Sequence, residues 1–266
     1  MKAAGRAAGG PRVLAIVPAR LASTRFPNKP LVKVLGVSML QHVVERVGAS
    51  GSVHEVVVAT CDVEIADTVR GFGGQVLMTS PAHQAATDRV AEAMARISCT
   101  HVVNVQGDEI LVLPEDLTRM VEAIVREPEG AAWNALARID TAEELNDRSI
   151  VKCVVSRSNR ILFCSRDFSK LPFAASGFEP ARKILGILAY ERACLESYGG
   201  LARTPLETAE SIDQSRMVEY DIAVRGVDFS HGYPGINEPR EVALVEGFMQ
   251  QDARQREILA RILGRG

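Results

Sequence analysis

Val13-Leu14-Ala15-Ile16-Val17-Pro18-Ala19-Arg20-Leu21-Ala22-Ser23-Thr24-Arg25-Phe26-Pro27-Asn28-Lys29-Pro30 holds a strand pattern and a cationic loop in one stretch. Five apolar residues ending at a proline read as a buried strand. That strand feeds a loop at the carboxyl edge of a sheet, where open α/β folds bind ligands. Arg20, Arg25 and Lys29, with Ser23 and Thr24 between them, suit a polyphosphate, because guanidinium groups grip phosphate oxygens bidentately and an ammonium acts as a mobile point charge. The spacing is not that of a P-loop. For an R-x4-R-x3-K pattern taken alone, a solvated basic loop is the plainer alternative.

Outward from this stretch, short apolar runs alternate with helical patterns, as expected of a parallel sheet covered by helices. Residues 13–17, 55–60, 75–78 and 101–106 read as strands, and 39–47, 63–72 and 87–97 carry apolar residues at helical spacing. After Arg126-Glu127-Pro128-Glu129-Gly130, strands follow without regular helices between them, at 131–139, 151–156, 161–165 and 184–190. This 130–200 region reads as mixed or antiparallel sheet able to carry a subunit contact. The lone Trp133 in it suits buried core or that contact. Residues 165–183, with Pro172, Gly177 and Pro180, read as a long loop of the kind that forms lids. Thr204-Pro205-Leu206-Glu207 is a capping box that starts a helix reaching about Tyr220. A strand at 222–227 and an amphipathic helix from Pro239 close the chain.

The 266 residues suffice for one large catalytic domain, 12–266, after a disordered tail, 1–11. A net charge of −2 shows no basic excess, and aromatics at 5% leave little for base stacking, so nucleic acid is not an expected partner. Cys61, Cys99, Cys153, Cys164 and Cys194 show no C-x-x-C and no metal-ligand spacing, and read as reduced thiols. No apolar run reaches membrane-spanning length and no secretory signal opens the chain, so no membrane contact and a cytoplasmic location are expected.

Asn104-Val105-Gln106-Gly107-Asp108-Glu109 ends the fourth strand and sets a carboxylate on the same sheet edge as the cationic loop. A carboxylate beside phosphates is a usual holder of Mg²⁺, so Asp108 is the metal candidate, with an ordinary Gly-Asp turn as the alternative. His83-Gln84-Ala85-Ala86-Thr87-Asp88-Arg89 precedes a helix with Thr87 as N-cap; its donors and Arg89 could meet an anion or a base, or merely cap the helix. His42, His54, His101 and His231 form no pair with ligand spacing and read as packing or surface. With no Ser-His-Asp, Cys-His or G-x-G-x-x-G arrangement, phosphoryl or nucleotidyl transfer remains.

Together these residues resemble the 3-deoxy-manno-octulosonate (Kdo) cytidylyltransferases, whose pattern runs P-A-R-x-A-S-T-R-x-P-x-K-P-L, then H-Q-S-G-T-E-R, then N-V-Q-G-D-E. Pro18–Leu31, His83–Arg89 and Asn104–Glu109 supply the three in order. The resemblance implies an α/β, nucleotidyltransferase-type (Rossmann-like) fold: a mostly parallel sheet with helices on both faces and a smaller mixed-sheet dimerisation region. It also implies a homodimer that uses Mg²⁺ to transfer CMP from CTP to an acidic acceptor. By it Arg20, Arg25 and Lys29 hold the triphosphate, with Pro18, Ala19, Ser23 and Thr24 in the same loop. Ala85, Arg89 and Gln106 line the cytosine and acceptor region, and Asp108 binds metal.

The second half departs from the family. Its R-H-L-G-I-Y-G-Y-R strand stands here as Lys183-Ile184-Leu185-Gly186-Ile187-Leu188-Ala189-Tyr190-Glu191, so two polar sugar contacts become Ile184 and Leu188, four apart and on one face. E-Q-L-R stands as Asp213-Gln214-Ser215-Arg216. G-V-D-T-P-E-D stands as Gly235-Ile236-Asn237-Glu238-Pro239-Arg240-Glu241, so Asn237 offers the second metal site a carbonyl oxygen and no charge. Gln106, Arg166, Lys183, Tyr190, Asp213 and Gln214 are the acceptor candidates. The lost polar contacts favour a phosphonoformate-like acid over Kdo as acceptor. A non-catalytic CTP-binding protein and an enzyme for another nucleotide are the rival readings.

Overall fold

The computed structural model describes residues 10–22, 26–83, 85–171 and 181–264. Ser23, Thr24, Arg25 and Gln84 lie outside the described residues, as do most of the expected tail and the Pro172, Gly177 and Pro180 of the expected lid.

The strands in chain order are β1 (Val13–Pro18), β2 (Lys33–Val34), β3 (Val37–Ser38), β4 (Glu55–Thr60), β5 (Gln75–Met78), β6 (His101–Val105), β7 (Ala132–Ala137), β8 (Lys152–Val155), β9 (Ile161–Ser165), β10 (Ala181–Glu191) and β11 (Val224–Asp228). The main sheet runs β5-β4-β1-β6-β10-β7-β11, with β8 and β9 branching from β10. β1, β4, β5 and β6 are mutually parallel, β10 is antiparallel to β6 and β7, and β11 is parallel to β7. The mixed region is therefore an extension of the same sheet rather than a separate layer.

β1 is buried on both faces, which is why it reads as a continuous apolar run. Val13, Ala15 and Val17 pack with the helices Met39–Ala49, Val63–Gly71, Pro114–Arg126 and Glu241–Gln251. Leu14 and Ile16 pack with the helices Ala86–Ala95, Arg192–Tyr198 and Asp213–Glu219. Trp133 is 1% exposed and belongs to the first of these cores.

Several expected elements differ. Pro114–Arg126 has no counterpart among the expected helices, although Pro114 at its start, acids in its first turn and Leu117, Met120, Val121 and Ile124 on its buried side spell one out. Short helices at Ala142–Asn146 and Arg192–Tyr198 interrupt the region read as strands alone. The capping box is present, but its helix ends at Glu210 because Ser211 turns left-handed (φ 55°), and a second helix, Asp213–Glu219, follows. The last helix also divides, at Asp252, whose carboxylate accepts the Arg254 and Gln255 amides and starts Ala253–Leu263.

His42 is packing, as the sequence suggests, and is fully buried. Its Nε2 lies 2.9 Å from the Val34 carbonyl, tying the β2–β3 hairpin to the helix Met39–Ala49. Burial, opposed by the Val34 carbonyl and reinforced by Arg46, lowers this imidazole from 6.5 to about 4. The unfolded chain therefore binds a proton that the folded chain refuses between these values. The stability tied to neutral His42 is complete above about pH 6.5 and lost as pH falls towards 4. Melting temperature should drop over that window, and His42→Gln should flatten the drop.

Candidate active site

Chain connections place the site. From β1 the chain crosses by the helix Met39–Ala49 to β4 on one side, whereas from β6 it crosses by Pro114–Arg126 to β7 on the other. Adjacent parallel strands whose connections diverge leave a crevice at their carboxyl ends. The loop after β1 holds Arg20 and Lys29; the loop after β6 holds Gln106, Asp108 and Glu109.

The β1 loop is held at both ends. The Ala19 amide donates to the Ala59 carbonyl at 2.9 Å and the Leu21 amide to Asp62 Oδ2 at 2.7 Å. At the far end Asn28 is left-handed (φ 57°) and leads into a single 3-10 turn, Lys29–Leu31, with Pro30 buried. This turn aims Lys29 inward. Its ammonium donates to Asp108 Oδ2 at 3.1 Å and to the Ile236 carbonyl at 2.9 Å, joining three segments far apart in sequence.

Two clefts adjoin here. The first, about 420 Å³, is lined by Pro18, Ala19, Arg20, Lys29, Ala85, Arg89, Gln106 and Asp108 among others, so every described member of the expected nucleotide set falls in it. Arg20 is exposed, whereas Arg89 is buried with Nη1 bonded to Thr79 Oγ1. Three cations against one carboxylate make this cleft suited to a polyanion. The helix beside it begins at Ala86 with Ala85 in the capping position, correcting the reading of Thr87 as cap. Thr87 Oγ1 instead donates to Asp213 Oδ2 at 3.1 Å.

The second cleft, about 800 Å³, shares Gln106 and Asp108 with the first, and Ile184, Leu188, Asp213, Gln214 and Asn237 also line it. Asp108 and Asn237 thus face one space. No three His, Cys, Asp or Glu side chains converge as a cation site among the described residues. The donors fit Mg²⁺ nonetheless, since this hard ion is commonly held by one or two carboxylates with substrate phosphates completing its shell. The Lys29 ammonium beside Asp108 shows that this carboxylate already balances a cation.

Other acceptor candidates are present but committed. Lys183 is buried with Nζ 2.6 Å from Glu144 Oε1. Arg166 lines the cleft, but its Nε donates to the Glu210 carbonyl at 2.9 Å and its Nη1 to the Arg148 and Ser149 carbonyls at 3.3 Å, so it straps loops together. Tyr190 does not reach the cleft. It lies opposite Val102 in the β10–β6 register, three residues back from Val105 at the carboxyl end of β6, and its ring is buried in the second core.

Three groups were missed in the sequence reading. Asp62 follows a strand end, which is a readable signal. Glu109 accepts the Gly186 amide on Oε1; burial first, then the adjacent Asp108, pushes its carboxyl up to about 7. Asn134, fully buried in β7, carries no signal beyond being polar in an apolar run.

A family profile for cytidylyltransferases matches residues 14–225. This chain is a member of the cytidylyltransferase family. It is therefore a CTP-dependent nucleotidyltransferase, which leaves the reading as a non-catalytic scaffold without support. The 3-deoxy-manno-octulosonate cytidylyltransferase of Geobacter metallireducens is 37% identical over 243 residues, covering 87% of this chain and 95% of that one. The Escherichia coli enzyme of the same name is 34% identical, covering 91% and 97%. A solved CMP:2-keto-3-deoxy-manno-octonic acid synthetase complexed with CTP superposes with TM-score 0.85 at 33% identity, covering 91% of this chain and 99% of the other. No helix among the described residues is long and apolar enough to cross a membrane.

Proposed function

We propose that this cytidylyltransferase transfers CMP from CTP to an acidic acceptor of the 3-deoxy-ulosonic acid type, with Mg²⁺ as cofactor and a cytoplasmic homodimer as the working form. The observation that carries the reaction is the meeting of a cation-lined cleft and a larger cleft at three shared residues, Ala86, Gln106 and Asp108. The triphosphate lies along Arg20, Lys29 and Arg89, and the acceptor enters from the second cleft. An acceptor oxygen attacks the α-phosphorus in line, the new O–P bond forms as the α–β bridge breaks, and pyrophosphate leaves. Arg20 and Lys29 take up the charge that develops on it. Asp108, with Asn237 opposite, would hold the Mg²⁺, which neutralises phosphate charge when bound. The attacking acceptor hydroxyl gives up its proton to solvent as the O–P bond forms; His83, which lines the nucleotide cleft, has its Nε2 2.6 Å from Glu92 Oε2.

The second cleft carries six carboxylates, Asp108, Glu109, Glu144, Asp147, Asp213 and Glu241, against Arg166 and Lys183. An acid entering it is repelled unless a cation stands between, which supports the metal requirement. The expectation of a phosphonoformate-like acceptor gains nothing from the relatives named above, which are Kdo cytidylyltransferases and synthetases. It stays as a second reading because Ile184 and Leu188 do both line the cleft, as their spacing implies, and offer no partners to sugar hydroxyls. Pyrophosphate release from CTP with Kdo, neuraminic acid or phosphonoformate separates the two. Turnover with Kdo supports the first reading; turnover with phosphonoformate alone replaces it with the second. UTP and ATP in the same assay test the nucleotide.

A further inference from the structure

One wall of the second cleft is built on a backbone irregularity. β10 runs against β7 with Ile184 opposite Leu136 and Leu188 opposite Asn134, so four steps on one strand answer two on the other. A bulge of this kind leaves backbone groups without ladder partners, and bulges gather beside active sites. Here side chains and a loop amide supply partners. Asn134 Nδ2 donates to the Leu185 carbonyl at 2.9 Å and to the Ile187 carbonyl at 3.3 Å. Glu109 Oε1 accepts the Gly186 amide at 2.5 Å, and the Gln106 amide donates to the Gly186 carbonyl at 2.8 Å. Asn134 Oδ1 in turn accepts Gln214 Nε2 at 2.7 Å, so a residue across the cleft is tied to the same bulge. A Cβ at Gly186 would stand 2.9 Å from Glu109 Oε1 and 3.0 Å from Gln106 Cβ and Cγ, so any side chain there displaces one of these two.

We infer that Glu109 and Asn134 are positioning residues for the acceptor: they hold the β10 bulge in the shape that presents Ile184, Leu188 and Gln214 to the second cleft and lock it to Gln106 at the boundary. This rests on the reading of the second cleft as the acceptor site. A carboxylate acting by charge, on metal or substrate, predicts a different mutational pattern from one acting as a hydrogen-bond acceptor. Glu109→Gln keeps an acceptor oxygen and discards the charge; Glu109→Ala discards both. Gly186→Ala keeps the Glu109 carboxylate but sets a methyl 2.9 Å from its Oε1, so it disturbs the same bond from the strand side.

The test combines hydrogen exchange on the whole protein with steady-state kinetics, using Kdo and phosphonoformate as acceptor probes. Losing the Gly186 bond should raise amide exchange across 185–187 and acceptor KM about tenfold or more in Glu109→Ala, with CTP KM changed less than about threefold. Gly186→Ala should do the same, and Glu109→Gln should fall well short of the Glu109→Ala changes in exchange and acceptor KM. A Glu109→Gln as impaired as Glu109→Ala overturns the inference in favour of a charge role. So do parallel rises in CTP and acceptor KM, or unchanged exchange in Glu109→Ala. If Glu109→Ala does not fold, Gly186→Ala carries the same comparison. Should the parent turn over neither probe, the proposed acceptor reading fails by itself, and the exchange measurement, which needs no substrate, still decides the role of the bulge.

Discussion

Asp108→Asn should lower kcat/KM for cytidylyl transfer about a thousandfold while the protein melts within a few degrees of the parent. The substitution keeps size and an oxygen able to accept the Lys29 ammonium, which stands 3.1 Å from Asp108 Oδ2. What it removes is the carboxylate charge at the boundary of the two clefts, the charge that would hold Mg²⁺ in the proposed mechanism. Discontinuous pyrophosphate assays over a range of Mg²⁺ should show the remaining activity displaced to higher metal concentration. An Asp108→Asn enzyme with near-parental turnover at unchanged Mg²⁺ would remove this residue from the mechanism.

Lys29→Ala should cost about a hundred- to a thousandfold in kcat/KM, the usual range for deleting a charged donor aimed at developing negative charge. Its ammonium does more than supply charge. By bonding Asp108 Oδ2 and the Ile236 carbonyl together it draws the loop after β1, the loop after β6 and the segment carrying Asn237 to one point. The close packing of Gly235, where a Cβ would stand 2.8 Å from the Asp108 carbonyl oxygen, shows how tightly that segment lies on the loop after β6. CTP affinity, read by calorimetry, should weaken along with turnover. Unaltered CTP binding in Lys29→Ala would mean that the triphosphate lies elsewhere.

Much of this was legible in the chain because the relevant signals are local. β1 declares itself as a doubly buried parallel strand, β4, β5 and β9 fall on the residues expected, and the motifs after β1 and β6 end up on one edge because parallel strands direct their carboxyl ends alike. The family resemblance then assigned roles to residues that strand and loop patterns only brought together. What escaped depends on tertiary partners. Tyr190 looks like a cleft residue until the register with β6 sets it beside Val102. Lys183 and Arg166 look like free anion anchors until Glu144 and four backbone carbonyls take up their donors. The turn at Ser211 needs a left-handed residue that composition does not announce, and the β10 bulge shows only in pairing. The helix Pro114–Arg126 is different in kind, since its apolar spacing was there to be read.

In the proposed mechanism the cations after β1 and the carboxylate after β6 grip one metal-loaded triphosphate. Crystals soaked with CTP and Mn²⁺ in place of Mg²⁺ test it directly through the anomalous signal of the metal. The expected result is a peak bonded to Asp108 and to triphosphate oxygens, with the phosphates lying against Arg20 and Lys29. A triphosphate bound away from those two cations, or a metal peak with no contact to Asp108, would contradict it.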